Sequence, residues 1–215
     1  MYAILDNIDV FFAGFVTTLC LVAVSIAVAL PLGTALAAMR VAPAPGPRFA
    51  AIMYVEILRN TPITVVFFFS AFVLPQLGVR LPYFAFAVLA LIAYYAAFFC
   101  EAVRSGINAV PAGQAEAARA IGLTSTRLLS EIVLPQALRA AIPPIINVVI
   151  ALVKSTAVAS AFGVAEALST MEQLANREST AVISVLVATA LLYLAITIPL
   201  GLLAGLIEQK VRFTK

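Results

Sequence analysis

The sequence predicts an all-α integral membrane protein of five transmembrane helices, N-terminus outside and C-terminus cytoplasmic. A helical loop lies on the inner side between helices 3 and 4. Three observations carry this. Of the 215 residues, 64% are hydrophobic and only 11% charged, and the mean hydropathy is +1.11. Soluble domains run nearer half apolar and a quarter charged, and a soluble fold of this size would leave large apolar patches exposed. Second, the charged residues are spaced by long apolar runs. Third, the basic residues fall on alternate connections. The net charge of +3 is too small to point to nucleic acid.

The spans follow in order. Residues 10–39, 60–79, 81–100 and 179–207 carry no charge. Each run reaches the roughly 18 to 20 residues that cross about 30 Å of hydrocarbon as a helix. A fifth span, over about 140–162, is interrupted only by Lys154. β-barrel strands would be shorter and would alternate. The acidic start with Asp6 and Asp9 lacks a basic leader region, so helix 1 is expected to stay in the mature protein.

Orientation rests on the arginines and lysines. With the N-terminus outside, the inner segments hold Arg40, Arg48, Arg59, Arg104, Arg119, Arg127, Arg139, Lys210, Arg212 and Lys215. The outer segments hold Arg80 and Arg177, together with the acids Glu166, Glu172 and Glu178. Lys and Arg in short loops set topology, so N-out, C-in is preferred. Residues 41–48 read as a stiff Pro-rich inner turn. Glu56 and Arg59 read as an inner-surface helix leading to Pro62, and residues 165–175 as a short outer helix.

The inner loop, residues 108–139, has the most pattern. Pro111 is placed to open a helix through residues 114–121, and Gly122 to turn the chain. Thr124 or Ser125 caps a second helix, in which Arg127 precedes Glu131 by one turn, and Pro135 is expected to stop it. Such a hairpin suits either a groove on another protein or a bed of lipid headgroups. Pro143 and Pro144 are expected to kink the fourth span or to mark its start. Gly201 and Gly205 form a small-residue pair that permits close helix packing.

Lys154 is the most costly residue, at about 2.5 to 3.5 kcal/mol within a span. It reads either as a cation lining a pathway, with Ser155 and Thr156 beside it, or as a structural lysine bonded to carbonyls or an acid. Glu101 and Arg104, one turn apart, read mainly as a local pair. The chain has no histidine, and none of its lysines (Lys154, Lys210, Lys215) follows a glycine, so there is no phosphate-binding loop. An intramembrane enzyme lacks its chemistry, and an ion-driven transporter or channel subunit would want more embedded carboxylates than Glu101.

The loop resembles the EAA loop of ABC importer permeases. Glu116, Ala117, Ala118, Gly122, Ile132, Leu134 and Pro135 stand at that motif's positions and spacing. The likeness extends along the chain to the polar amino acid permease family, of histidine, glutamine and glutamate type. Gly14, Thr18, Gly33 and Arg40 resemble its first helix, and Arg59 to Pro62 its R-G/N-T-P segment. Glu101, Arg104, Gly106 and Ile107 resemble its E-x-x-R-x-G-I stretch, and Lys154, Ser155 and Thr156 its K-x-T/S element. Ala157 and Val158 depart from a frequent serine-leucine pair.

The resemblance implies a single permease domain over residues 1–215 in a bacterial cytoplasmic membrane, moving polar or charged amino acids, glutamate among them. It implies a second permease subunit, a cytoplasmic ATPase dimer gripping the EAA loop, and an extracytoplasmic binding protein. ATP and Mg would be bound by the ATPase, with no cofactor in this chain. Lys154, Ser155, Thr156 and Glu101 are the candidates for the substrate pathway.

Overall fold

A computed structural model describes residues 7–42, 44–124 and 127–212. Asp6, Ser125 and Lys215 lie outside the described residues. Eight helices are described, α1 (Ile8–Val41), α2 (Pro45–Asn60), α3 (Ile63–Gln76), α4 (Tyr83–Asn108), α5 (Ala112–Ala120), α6 (Leu128–Phe162), α7 (Ala167–Arg177) and α8 (Val182–Arg212), with a short 3₁₀ turn at Ser179–Ala181. No strand occurs among the described residues.

Four of these, α1, α4, α6 and α8, are long and apolar enough to cross a membrane by themselves. The expected second span is shorter than its charge-free run. Thr61, which precedes Pro62, is extended at φ −96° and ψ 135°, as the proline ring demands of its neighbour. The chain bends there by 104°. What remains, α3, rises only about 21 Å at 1.5 Å per residue, so the described residues hold four spanning-length helices, or five with the bent α2–α3 pair counted as one span. The Pro-rich turn is shorter than expected as well. Pro45 stands at the start of α2, where a missing N–H costs nothing.

Three prolines expected to end, kink or start helices lie within a continuous one. Leu128–Val133 forms a π turn that runs directly into Leu134–Ser155, and the Leu134 N–H reaches back to Leu129. The wider turn carries the chain past Pro135 with its missing donor. The same arrangement occurs in α3, where the π turn Phe69–Val73 precedes Leu74 and Pro75. Pro143 and Pro144 lie inside the helix Leu134–Ser155, so neither marks its beginning.

α4 is the hub. Its apolar window is 56% buried, against 22% for α1 and 11% for α8. α1 runs parallel to α4, with Gly33 against Ala96 and Phe99 and Arg40 against Glu101. α6 runs antiparallel to α4, with Gly106 against Ala137 and Ala141 and Tyr95 against Ser155. A Cβ at Gly33 would lie 2.6 Å from Phe99 Cβ, and one at Gly106 2.5 Å from the Ala137 carbonyl. Only glycine allows these helix pairs to approach so closely. Leu21, Val55, Phe67, Leu91, Phe99, Cys100 and Leu152 fill the resulting core. Phe67 and Tyr95 are inside, whereas Phe68, Phe69 and Tyr83 are exposed. Gly201 and Gly205 meet no neighbour within 4 Å, so the small-residue pair of α8 packs against nothing within the described chain.

α7 docks between α1 and α8. Phe11, Leu174, Ala181 and Val185 close an apolar cluster there. Glu166 caps α7 by accepting from the Ser169 N–H at 2.9 Å.

Candidate functional site

The loop of residues 108–139 folds as a helical hairpin. α5 follows Pro111, whose carbonyl accepts from the Gln114 N–H at 3.1 Å. It ends at Gly122, which takes φ +83°. The Leu123 N–H bonds to the Ala118 carbonyl at 3.1 Å and the Gly122 N–H to that of Arg119 at 3.0 Å. This pair of bonds around a left-handed residue is a Schellman stop, and it needs glycine at the turn. Thr124 then caps α6: its carbonyl accepts from the Leu128 N–H at 2.9 Å and its hydroxyl from the Arg127 N–H at 3.5 Å.

Two things hold the arms together. Ala118, Leu128 and Ala137 are buried. The Gln136 amide donates both to the Gln114 side-chain oxygen and to the Ile132 carbonyl at 2.9 Å. The loop pattern did not point to this staple, since glutamines on solvated helices carry no distinctive signal. The Arg127–Glu131 pair forms at 4.0 Å with both side chains more than half exposed, a geometry that contributes little.

Of the motif residues, Glu116, Ala117, Gly122, Leu134 and Pro135 are exposed, Ala118 is buried and Ile132 half-buried. Large apolar side chains accompany them at the surface. Ile121 is 79% exposed, and Leu129 and Leu138 each 57%. The hairpin thus exposes a carboxylate and several aliphatic side chains, a combination that suits contact with another protein or with lipid headgroups.

Glu101 sits in a second cluster. Its carboxylate bonds Arg104, at 2.6 Å to Nη2 and 3.2 Å to Nε, and pairs closely with Arg40. Arg59 lies 3.8 Å away and over the Phe98 ring, while Glu56 approaches Arg40 at 3.9 Å. One carboxylate therefore ties the ends of α1, α2 and α4, as the local-pair reading anticipated and more broadly.

The Lys154 triplet does not converge on one face. Lys154 is exposed and, among the described residues, makes no ion pair. Glu101 is fully engaged with arginines and does not neutralise it. Ser155 shares a 2.6 Å hydrogen bond with the Tyr95 hydroxyl. Thr156 is fully buried and donates to the Val153 carbonyl at 2.7 Å. Successive side chains on a helix point about 100° apart, so the three meet different surroundings where α6 passes into a 3₁₀ helix over Thr156–Phe162.

A family profile described as "Binding-protein-dependent transport system inner membrane component" matches residues 29–213. The chain belongs to that family. The match takes in the hairpin, the Glu101 cluster and the Lys154 triplet. Relatives fall among amino acid permeases. The glutamate transport system permease protein GluC of Corynebacterium efficiens is 40% identical over 86% of each chain. The probable glutamine ABC transporter permease protein GlnM of Bacillus subtilis is 36% identical over 95% of this chain and 94% of its own. A crystal structure of an amino acid ABC transporter with histidines superposes with a TM-score of 0.90 at 26% identity, over 97% of both chains. Inward-facing MetNI, a methionine ABC transporter, shares the fold with a TM-score of 0.65 at 20% identity.

Proposed function

We propose that this inner membrane component is the permease subunit of an ATP-driven importer of polar or charged amino acids in a bacterial cytoplasmic membrane. The relatives named for glutamate and glutamine make an acidic amino acid or its amide the first substrates to test. The single observation carrying the coupling part is the hairpin. Gly122 and the Gln114–Gln136 staple join α5 to the start of α6, with Glu116 and Ile121 uncovered at the surface.

In this reading a cytoplasmic ATPase dimer grips the hairpin. Glu116 meets a basic residue of the ATPase in a charge-assisted contact, and exposed Ala117 lets the two backbones approach. ATP and Mg sit on the ATPase. Closure of the dimer moves the hairpin, and α6, continuous with its second arm through the π turn, carries the movement into the membrane. A second permease subunit covers the exposed face bearing Lys154, and an extracytoplasmic binding protein delivers the amino acid. Lys154 faces the subunit interface or the pathway, where a substrate carboxylate or water offsets its charge.

The orientation, N-terminus outside and C-terminus inside, has two supports. Arginines dominate the connections assigned to the inside. The Arg40–Glu101 pair also joins the C-terminal ends of α1 and α4, which supports a return across the bilayer by the α2–α3 pair. An ion-driven secondary transporter is disfavoured, because Glu101 is occupied by three arginines and does not serve as an ion-coupling carboxylate.

Copurification tests the coupling. The tagged chain should retain an ATPase, and Glu116→Arg should release it without changing the yield of folded chain. Equal retention by both would contradict docking through Glu116.

A further inference from the structure

Where α1 ends, α2 begins and α4 ends, the chain encloses a cleft of about 320 Å³ lined by Arg40, Val41, Arg48, Ile52, Arg104 and Asn108. Its charge is lopsided. Three guanidiniums, those of Arg40, Arg48 and Arg104, line the cleft, and the carboxylates that pair with Arg40 and Arg104 are Glu56 and Glu101. Both carboxylates are used by the ion pairs described above. Arg48 is exposed and pairs with neither. Asn108 adds amide donors, and Val41 and Ile52 add an apolar lip. Sheltered cationic surplus of this kind is stabilised by an anion with several acceptor oxygens, and guanidiniums suit phosphate oxygens best.

The geometry points to a phosphate-binding cleft at the membrane surface, taking either the phosphodiester of an anionic phospholipid or a free phosphate ion. Both offer the same acceptors. A lipid would add acyl chains running past Val41 and Ile52, and the end of a span next to an interfacial helix is where a headgroup resides. The inference uses the orientation proposed above only to say that the leaflet is the inner one, and it does not depend on transport or on the ATPase.

The test uses the purified permease with its copurifying subunits. In the lipid arm, native mass spectrometry counts phosphatidylglycerol and phosphatidylcholine retained after delipidation in equimolar mixtures. In the ion arm, inorganic phosphate is titrated in lipid-free detergent against sodium chloride of matched ionic strength, and the melting temperature is read. Arg48→Gln removes an arginine that pairs with no carboxylate among the described residues, so the fold should persist. Arg80→Gln, in the other connection, is the control. Phosphatidylglycerol preference weakened roughly tenfold by Arg48→Gln and untouched by Arg80→Gln identifies a lipid site, tenfold being about 1.4 kcal/mol. Saturable stabilisation by phosphate beyond chloride, lost in Arg48→Gln and without lipid preference, identifies a free-ion site. No preference in either arm, or equal losses in the two variants, overturns the inference.

Discussion

Tyr193, in the last span, donates a 2.9 Å hydrogen bond to the carboxylate of Glu166, a residue with no exposed surface that caps α7. The Thr18 hydroxyl of α1 lies 3.3 Å from the same oxygen and accepts from the Ala167 N–H at 3.1 Å. Helices far apart in sequence thus share one buried carboxyl group. The groups facing it are Thr18 from α1, Tyr193 from α8, and the Leu168 and Ser169 amides from α7 itself.

Burial pushes the Glu166 carboxyl above the usual range, and the amide and hydroxyl donors only partly offset this. A raised carboxyl pKa means that the folded state holds its proton more tightly than the unfolded state. Stability is then greatest at acid pH and falls as pH rises from the ordinary glutamate value through the folded one. Melting curves between about pH 4 and 8 should show that decline, and Glu166→Gln should flatten it. A variant with an unchanged slope would remove Glu166 as its source.

Truncation at the same site is harsher. Glu166→Ala strands the Tyr193 hydroxyl and the Ser169 amide in a buried pocket, at about 1 to 3 kcal/mol per orphaned group. Thermal unfolding in detergent should rank Glu166→Ala well below Glu166→Gln, and equal melting temperatures would refute the network.

The glycines should separate cleanly. Gly33→Ala drives a methyl into Phe99 and into the Ala96 and Cys100 backbone, an overpacking cost of about 1 to 3 kcal/mol. Gly201→Ala meets nothing within the chain and should stay within about 0.5 kcal/mol in the solubilised chain. Urea or thermal titration of the two variants checks the contrast.

Charge removal should discriminate in the same way. Glu101→Gln leaves Arg40, Arg59 and Arg104 crowded around a neutral group, and breaking a partly buried pair of this kind costs about 3 kcal/mol. Arg127→Ala loses an exposed pair and should cost under about 0.5 kcal/mol. Comparable melting temperatures for the two variants would mean that Glu101 does not anchor the helix ends.

Much of this chain is legible from charge spacing alone. Four charge-free runs locate α1, α3, α4 and α8, although α3 is shortened because Thr61–Pro62 bends the chain. Gly122 was legible as a turn because no other residue takes φ +83° cheaply. Pro135 misled, and Pro143 and Pro144 do not mark the helix start that one reading of them allowed. Whether a proline ends a helix depends on the turn before it, and a π turn has no compositional mark beyond the Leu-Pro that follows. The Lys154 triplet reads as one element in sequence, yet helical geometry sends its neighbours in different directions. Glu166 read as an outer acid, since nothing local reveals that α1 and α8 close over it.

The most direct measurement is amino acid uptake into proteoliposomes that hold the chain, its copurified subunits and a candidate binding protein. Wild type would be compared with a Glu116→Ala, Gly122→Pro double variant. The account predicts uptake of a polar amino acid that requires ATP and collapses in the variant, together with loss of ATPase retention. Uptake driven by an ion gradient, indifferent to ATP and to both substitutions, would contradict it.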